Sequence, residues 1–481
     1  MAPAATERDL STAYDEVAYP TTAFRQTHPD RLATHAALLG LPFAPPARCR
    51  VLDVGGGDGM NLIGMALTYP GSEFVGFDLS QSAVRRGQEI VRELGLANVR
   101  LFAADVTDVD VGEGAFDYLI AHGFYSWVPA PARDAALALA ARCLAPAGVA
   151  FVSYNAQPGG HIRRIVRDLL LFETQGLTEP GARIEAARRK LQEVVEAYPE
   201  TDVFQRALKV RCQALLETPG AVMLHDDLGD IFHPVYLTDF LDHAAGHGLR
   251  FLTEADPVRC LEGFAAEGQE PHEAQVIAAA RETDFKLLHG FRQTLLVHAQ
   301  AEVNRRIVPR RLAGLHASCA ARPVGDGRFR IRGAEFSAPD PQLSQALAQL
   351  TAIFPLSLPV KDLVDDDRRL GALMRMYAAD LVGLHVEPSP FSTTISERPR
   401  ASPLARLQIA LGEERLITLS HTVLPLEDPI ARGFLTLVDG SRTQAEITRE
   451  MARQLGAPEH QVSEKVAEKL SDLAKMAMLI G

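Results

Sequence analysis

Three acids and a run of glycines carry the most legible chemistry in the chain. Asp53 stands ahead of GGGDG, in which Gly55, Gly57 and Gly59 alternate; Asp78 follows 25 positions after Asp53, and Asp105 lies just past a third apolar run. Alternating glycines let a backbone take positive φ and approach a ligand with no Cβ in the way. The N–H groups of such a loop, and of a following helical turn that holds Asn61, suit a carboxylate or a phosphate. An acid before the loop can orient an ammonium group, and one at the tip of the next strand can accept both ribose hydroxyls. A third can bind an adenine amino group. A dinucleotide fingerprint, G-x-G-x-x-G, would need glycine at Met60, whereas D-x-G-x-G-x-G is met in full. Taken singly, a strand-end aspartate is more often a helix N-cap than a ribose ligand; the ordered set of four features points to a nucleoside carrying an amino acid.

These residues need strands and helices to hold them. CRVLDV, EFVGFDLS, NVRLFAADVTDV, FDYLIAHGFYSWVP and GVAFVSYNAQPGG read as five strands, with helices at MNLIGMALTYP and ARDAALALAARCLAPAG. Alternation at this rhythm predicts a parallel sheet with its ligand at the carboxyl ends of the strands. Those ends also carry His122, Tyr125 and Trp127 after the fourth strand and Tyr154 and Asn155 after the fifth. His122 is expected to touch the donor, and the other four to line an acceptor pocket; a packing role is the plainer alternative for each. The loop pattern is that of S-adenosylmethionine-dependent methyltransferases of the Rossmann-like class, which makes S-adenosyl-L-methionine the expected cofactor and S-adenosyl-L-homocysteine the product. A nicotinamide enzyme is the lesser alternative.

Residues 161–224 read as purely helical, PVYLTDFLDHAAGHGLRFLTEADP as helix, glycine stop and strand, and GFRQTLLVHAQ as a last strand. The expected fold class is α/β, a Rossmann-like seven-stranded methyltransferase sheet with helical insertions, over residues 1–303. Two segments beyond it echo each other, each with a hairpin, an Asp-Pro helix start (Asp340-Pro341, Asp428-Pro429), two further helices and an apolar end strand. They predict two winged-helix-like α+β units, 304–388 and 389–481, the second entered through the Pro/Ser/Thr-rich linker EPSPFSTTISERPRASP. His28-Pro29-Asp30 predicts a helix start.

A net charge of −12, with 49 basic against 61 acidic residues and no long basic stretch, argues against nucleic acid as a partner. The absence of a long apolar window and of a signal-like N-terminus predicts no membrane insertion and a cytoplasmic protein. Cys49, Cys143, Cys212, Cys260 and Cys319 lack CxxC spacing and read as reduced core thiols. His225-Asp226-Asp227 and His233 have metal-ligand types without a diagnostic spacing, so no metal is expected there and substrate-side polar contacts or a helix cap are favoured.

The stretches AYDEVAYPTTAFRQTHPDRLATHAALLG, VLDVGGGDGMNLIGMAL, HGFYSWVP, SYNAQPGGH and LHDDLGDIFHPVYLTDF resemble the bacterial methyltransferases that carry a methyltransferase regulatory domain. That family includes the protein-lysine methyltransferases acting on outer membrane protein B of rickettsiae. The resemblance covers about residues 10–300 well and the rest loosely. It departs at Asp53, where members commonly have Glu, and at Gly56, where they have a small residue; both changes keep the chemistry. It implies a protein or peptide acceptor, with lysine N-methylation favoured, and brings Tyr14 and Tyr19 to the cofactor as part of a segment folded over it. FLTLVDGSRTQAEITREM is similar to the small winged domains that recognise ribosomal precursor peptides, which keeps a leader-bearing peptide open beside a small metabolite. A silent scaffold is disfavoured, since it has no need of Asp53, Asp78 and Asp105.

Overall fold

A computed structural model describes residues 13–199, 201–260, 270–306 and 308–480. The chain opens with α1 (Ala13–Glu16) and α2 (Pro29–Leu38), the latter started as expected by His28, whose ring accepts the Asp30 N–H at 3.2 Å. Strand and helix then alternate: β1 (Arg50–Val54), α3 (Met60–Thr68), β2 (Glu73–Asp78), α4 (Gln81–Glu93), β3 (Val99–Ala103), β4 (Phe116–Ala121), α5 (Ala130–Cys143) and β5 (Leu144–Asn155). Four helices follow without a strand, α6 (Gly160–Glu173), α7 (Pro180–Ala197), α8 (Val203–Leu216) and α9 (Gly220–Asp226). Then come α10 (Leu237–Gly246), β6 (Leu249–Glu254), α11 (Glu273–Leu287) and β7 (Phe291–His298).

The seven strands form one sheet in the order β3-β2-β1-β4-β5-β7-β6. β7 runs antiparallel to β5 and β6, and the β1, β2, β3, β4 and β5 pairings are parallel. This is the Rossmann-like methyltransferase sheet. Helices cover both faces, so the central strands are buried nearly end to end, as parallel sheets require. Leu62, Ile63 and Phe151 lie in the core on one side, and Leu119, Val152 and Phe240 in that on the other. On β7, next to the edge strand β6, the fully buried Arg292 binds Glu254 at 2.6 Å and Asp284 at 2.8 Å.

Beyond β7 lie β8 (His316–Ser318), the meander β9 (Arg322–Gly325), β10 (Arg328–Ile331) and β11 (Ala334–Ser337), then α12 (Pro341–Ile353), β12 (Leu358–Pro359), α13 (Asp367–Ala378) and β13 (Gly383–His385). The end strand β13 pairs with β8, not with the meander, and a 3-10 turn, Val360–Asp362, stands where a second helix was expected. Pro355 and Pro359 leave too short a run for an α-helix there. In the last unit a strand, β14 (Arg400–Ala401), and a helix, α14 (Pro403–Ala410), come first, where a linker was expected. The hairpin β15 (Arg415–Ile417) and β16 (Val423–Pro425), α15 (Pro429–Leu437), α16 (Gln444–Leu455), α17 (Glu459–Lys475) and β17 (Leu479–Ile480) then follow the expected order, and β17 closes on β14. No helix among the described residues is long and apolar enough to cross a membrane.

Candidate active site

β1 ends at Val54 and the chain turns through Gly55, Gly57 and Gly59 at φ of 69°, 60° and 72° before α3 begins. A Cβ on Gly59 would come within 2.7 Å of Leu101, and one on Gly55 within 2.6 Å of the Phe124 ring, so the loop tolerates side chains at neither end. A glycine that sequence reasoning passed over completes the cradle. Gly87, on α4, lies so close that a Cβ there would sit 2.0 Å from the Asp58 carbonyl; its only signal was a glycine inside a helical pattern.

Asp78 ends β2 and its two oxygens accept the Gly57 N–H and the Ser80 N–H, both at 2.8 Å. Burial pushes its carboxyl above the usual range, and these bonds pull against that. Asp53 lies under the loop, 3 % exposed, pushed up to about 7 by burial, eased by a hydrogen bond from Asn61 and raised again by Asp78. Asp105 is half-buried past β3, with one oxygen accepting from the Thr107 N–H and hydroxyl at 2.9 Å. Positive φ in alternation, a buried acid beneath and a second acid at the next strand tip form a donor set that fits S-adenosylmethionine.

The N-terminal segment crosses this loop. Asp15 accepts from the Ser80 hydroxyl and the Ser82 N–H, and Thr21 donates to Asp58 at 2.7 Å. Tyr14 stacks on His225 at 4.2 Å, Tyr19 lies 5.9 Å from the same ring, and His225 Nε2 is 2.7 Å from the Val17 carbonyl. Burial, Asp226 and Asp78 push the Tyr14 phenol up to about 12, and Tyr19, bonded to Asp226, is raised as well. Asp226 itself is raised by burial and held back by Arg163.

Arg163, which sequence reasoning missed, gathers the next shell of contacts. It reaches Asp226 at 3.3 Å, Asp227 at 3.2 Å and the Asn155 side-chain oxygen at 3.2 Å, with its plane 5.0 Å over Trp127. Phe232 lies against Trp127 at 5.5 Å and under Arg167 at 4.9 Å. The signal was present in HIRRIVRD, where three arginines fall on a helix that otherwise repeats apolar residues.

Two expected acceptor residues lie elsewhere. Tyr154 is 1 % exposed, stacked on Phe240 at 4.2 Å, with its hydroxyl 3.1 Å from that of Thr294. Tyr125 is also buried, edge-on to the same Phe240, and its hydroxyl meets His243 Nδ1 at 2.9 Å. For Tyr154 the cause is strand geometry: the neighbours Tyr154 and Asn155 on β5 point to opposite faces, so only Asn155 meets Arg163. Asn61 is corrected too. Its amide oxygen accepts the Phe24 N–H at 3.0 Å and faces His421 Nε2 at 3.0 Å, while its nitrogen donates to Thr27 at 3.0 Å. It braces the loop from within. His122 packs on Phe24 at 3.9 Å and is kept neutral by burial, at about 4, with Nδ1 3.0 Å from the Ser153 hydroxyl. Asp134, His243 and His247 bring ligand-type atoms within 4.8 Å of one another, the cluster of that kind found among the described residues.

Residues 51–148 match the methyltransferase domain family, 219–298 the predicted methyltransferase regulatory domain, and 397–480 the PKMT C-terminal winged helix domain. An uncharacterized protein of Rickettsia prowazekii is 32 % identical over 233 residues, 48 % of this chain and 93 % of that one. A second from the same organism is 31 % identical over 304 residues, 61 % of this chain, which spans about half (54 %) of that longer protein. Two structures of PKMT2 from Rickettsia typhi, one in complex with AdoHcy, align with 96 % of this chain and 100 % of theirs at 21 % identity, with TM-scores of 0.83 and 0.82, which establishes a shared fold.

Proposed function

Because the chain belongs to the S-adenosylmethionine-dependent methyltransferases that carry a methyltransferase regulatory domain, we propose that its acceptor is a protein or peptide, methylated on lysine side-chain nitrogen. The observation that carries this reading is the clasp of Tyr14 and Tyr19 around Asp226, beside the acid at the tip of β2. Two aromatic faces and a carboxylate attract an alkylammonium through cation–π and charge interactions. When bound, S-adenosylmethionine supplies an electrophilic methyl group, so the protein has chiefly to align an amine lone pair and keep water out. On this reading Asp78, Asp53 and Asp105 hold the donor, Tyr14 and Tyr19 wall the acceptor, and His122 stays neutral near the strand ends. A lysine must shed a proton before attack. Desolvation between the two rings lowers its pKa, and Asp226, itself raised, is the nearby group able to take that proton.

The match of residues 397–480 to a winged domain described by its occurrence in PKMT supports a protein acceptor. Residues 1–303 would then perform the transfer, and 304–388 and 389–481 would present the acceptor. Five free, buried cysteines fit a cytoplasmic setting. The test is to incubate the purified protein with methyl-labelled S-adenosylmethionine and lysate of its source organism. Label in a discrete polypeptide, recovered as methyl-lysine on hydrolysis, is expected; label confined to small molecules would overturn the proposal and favour a metabolite.

A further inference from the structure

Where α2, the segment around β13 and the turn between β15 and β16 meet, the protein forms a partly open cavity of roughly 320 Å³. It lies apart from the glycine loop, and its lining includes Arg25 and Arg31. Arg31 is 5 % exposed, yet its Nε and Nη1 have no hydrogen-bond partner. A buried guanidinium with unmade bonds is costly, and one beside a second cation more so. Arg31 is the main reason that Arg25 is pulled down to about 10.

The carboxylates on the cavity wall relieve this only in part: Asp380 offsets some of the charge on Arg25, but each of them already has another partner. Asp30 already accepts from His385 at 2.7 Å and from the Val386 N–H at 2.9 Å, and Asp380 is paired with Arg332. Glu387 accepts the Ala47 N–H at 3.0 Å, while Arg332 and Lys475 bring the wall's cations to four. A planar guanidinium with free N–H groups is shaped for bidentate binding of a carboxylate or phosphate. The volume suits a small metabolite.

We infer that this cavity binds a small anion bearing a phosphate or carboxylate group, held by Arg31 and Arg25. The site is joined to the donor loop by a short path. Arg25 begins the 3-10 turn Arg25–Thr27, whose Thr27 and whose neighbour Phe24 both bond Asn61, and Asn61 in turn bonds Asp53. An occupant that orders this turn also steadies the donor loop, and by linkage the donor favours the occupant.

Titration calorimetry of the full chain with inorganic phosphate and with citrate, at constant ionic strength, tests this. Saturable one-site binding of at least one probe is expected, weakened about tenfold or more in both Arg31→Met and Arg25→Gln, as loss of a charge-assisted pair requires. S-adenosylhomocysteine binding by the variants checks that they fold; if Arg31→Met does not, the half-buried Arg25→Gln decides. No saturable binding by the wild type, or equal binding by wild type and folded variants, would overturn the inference. Capture by phosphatidate vesicles above a phosphatidylcholine control would overturn a free metabolite as the source, because lipid headgroups would then be the ligand.

Discussion

Asn61→Ala is the sharpest test of how the three parts of the chain are tied together. The asparagine side chain is 5 % exposed and bonds Phe24 N–H, Thr27 and His421, so it joins the N-terminal segment and the last unit to the donor loop. Truncation leaves Thr27 satisfied, because its hydroxyl also donates to the Phe24 carbonyl at 2.8 Å. The Phe24 N–H, His421 Nε2 and the buried Asp53 carboxyl lose their partner. Three orphaned groups at about 1–2 kcal/mol each give an expected loss of about 3–6 kcal/mol. Urea unfolding followed by the fluorescence of Trp127, the one tryptophan in the chain, reads the unit that holds the loop. His421→Ala should cost less, about 1 kcal/mol, since the Asn61 oxygen keeps Phe24. The double variant should cost less than the sum of the singles. A loss within about 0.5 kcal/mol for Asn61→Ala, the range of ordinary surface changes, would refute the bracing role. Full additivity would show that Asn61 and His421 do not interact.

Gly57→Val should abolish donor binding in calorimetry while leaving the far-ultraviolet circular dichroism unchanged, because φ is +60° and Thr21 lies 3.1 Å from the new Cβ. Asp78→Ala is expected to weaken donor binding by about 1–3 kcal/mol through lost hydrogen bonds to ribose; unchanged affinity would remove Asp78 from the site. Donor affinity should fall as the pH drops through about 7, where Asp53 takes up a proton and can no longer hold an ammonium group, and Asp53→Asn should flatten that profile. The stability of the free protein has the opposite slope from this residue. Between its ordinary 3.8 and about 7 the folded state retains a proton that the unfolded chain has released, so rising pH costs stability across that window, and Asp53→Asn should remove this contribution from thermal melts.

Much of the donor half was legible in one dimension because its chemistry is local. Gly55, Gly57 and Gly59 are required by backbone angles of consecutive residues, and Asp53 and Asp78 by the ends of two adjacent strands, so spacing alone fixes the loop, the sheet and the kind of ligand they suit. The parallel strands likewise follow from alternation of strand and helix, whereas the antiparallel insertion of β7 between β5 and β6 does not. The proposed acceptor half was decided by tertiary structure. Tyr154 and Asn155 are neighbours in sequence, yet strand alternation sends one into the core against Phe240 and the other to Arg163. Asn61 has the type and place of a ligand contact, but residues 34 and 360 positions away claim its amide. The clasp of Tyr14, Tyr19, His225 and Asp226 joins segments about two hundred residues apart, and the Arg31 cavity needs three parts of the chain at once. Such contacts depend on how separate elements dock, a matter of shape and burial that no local periodicity encodes.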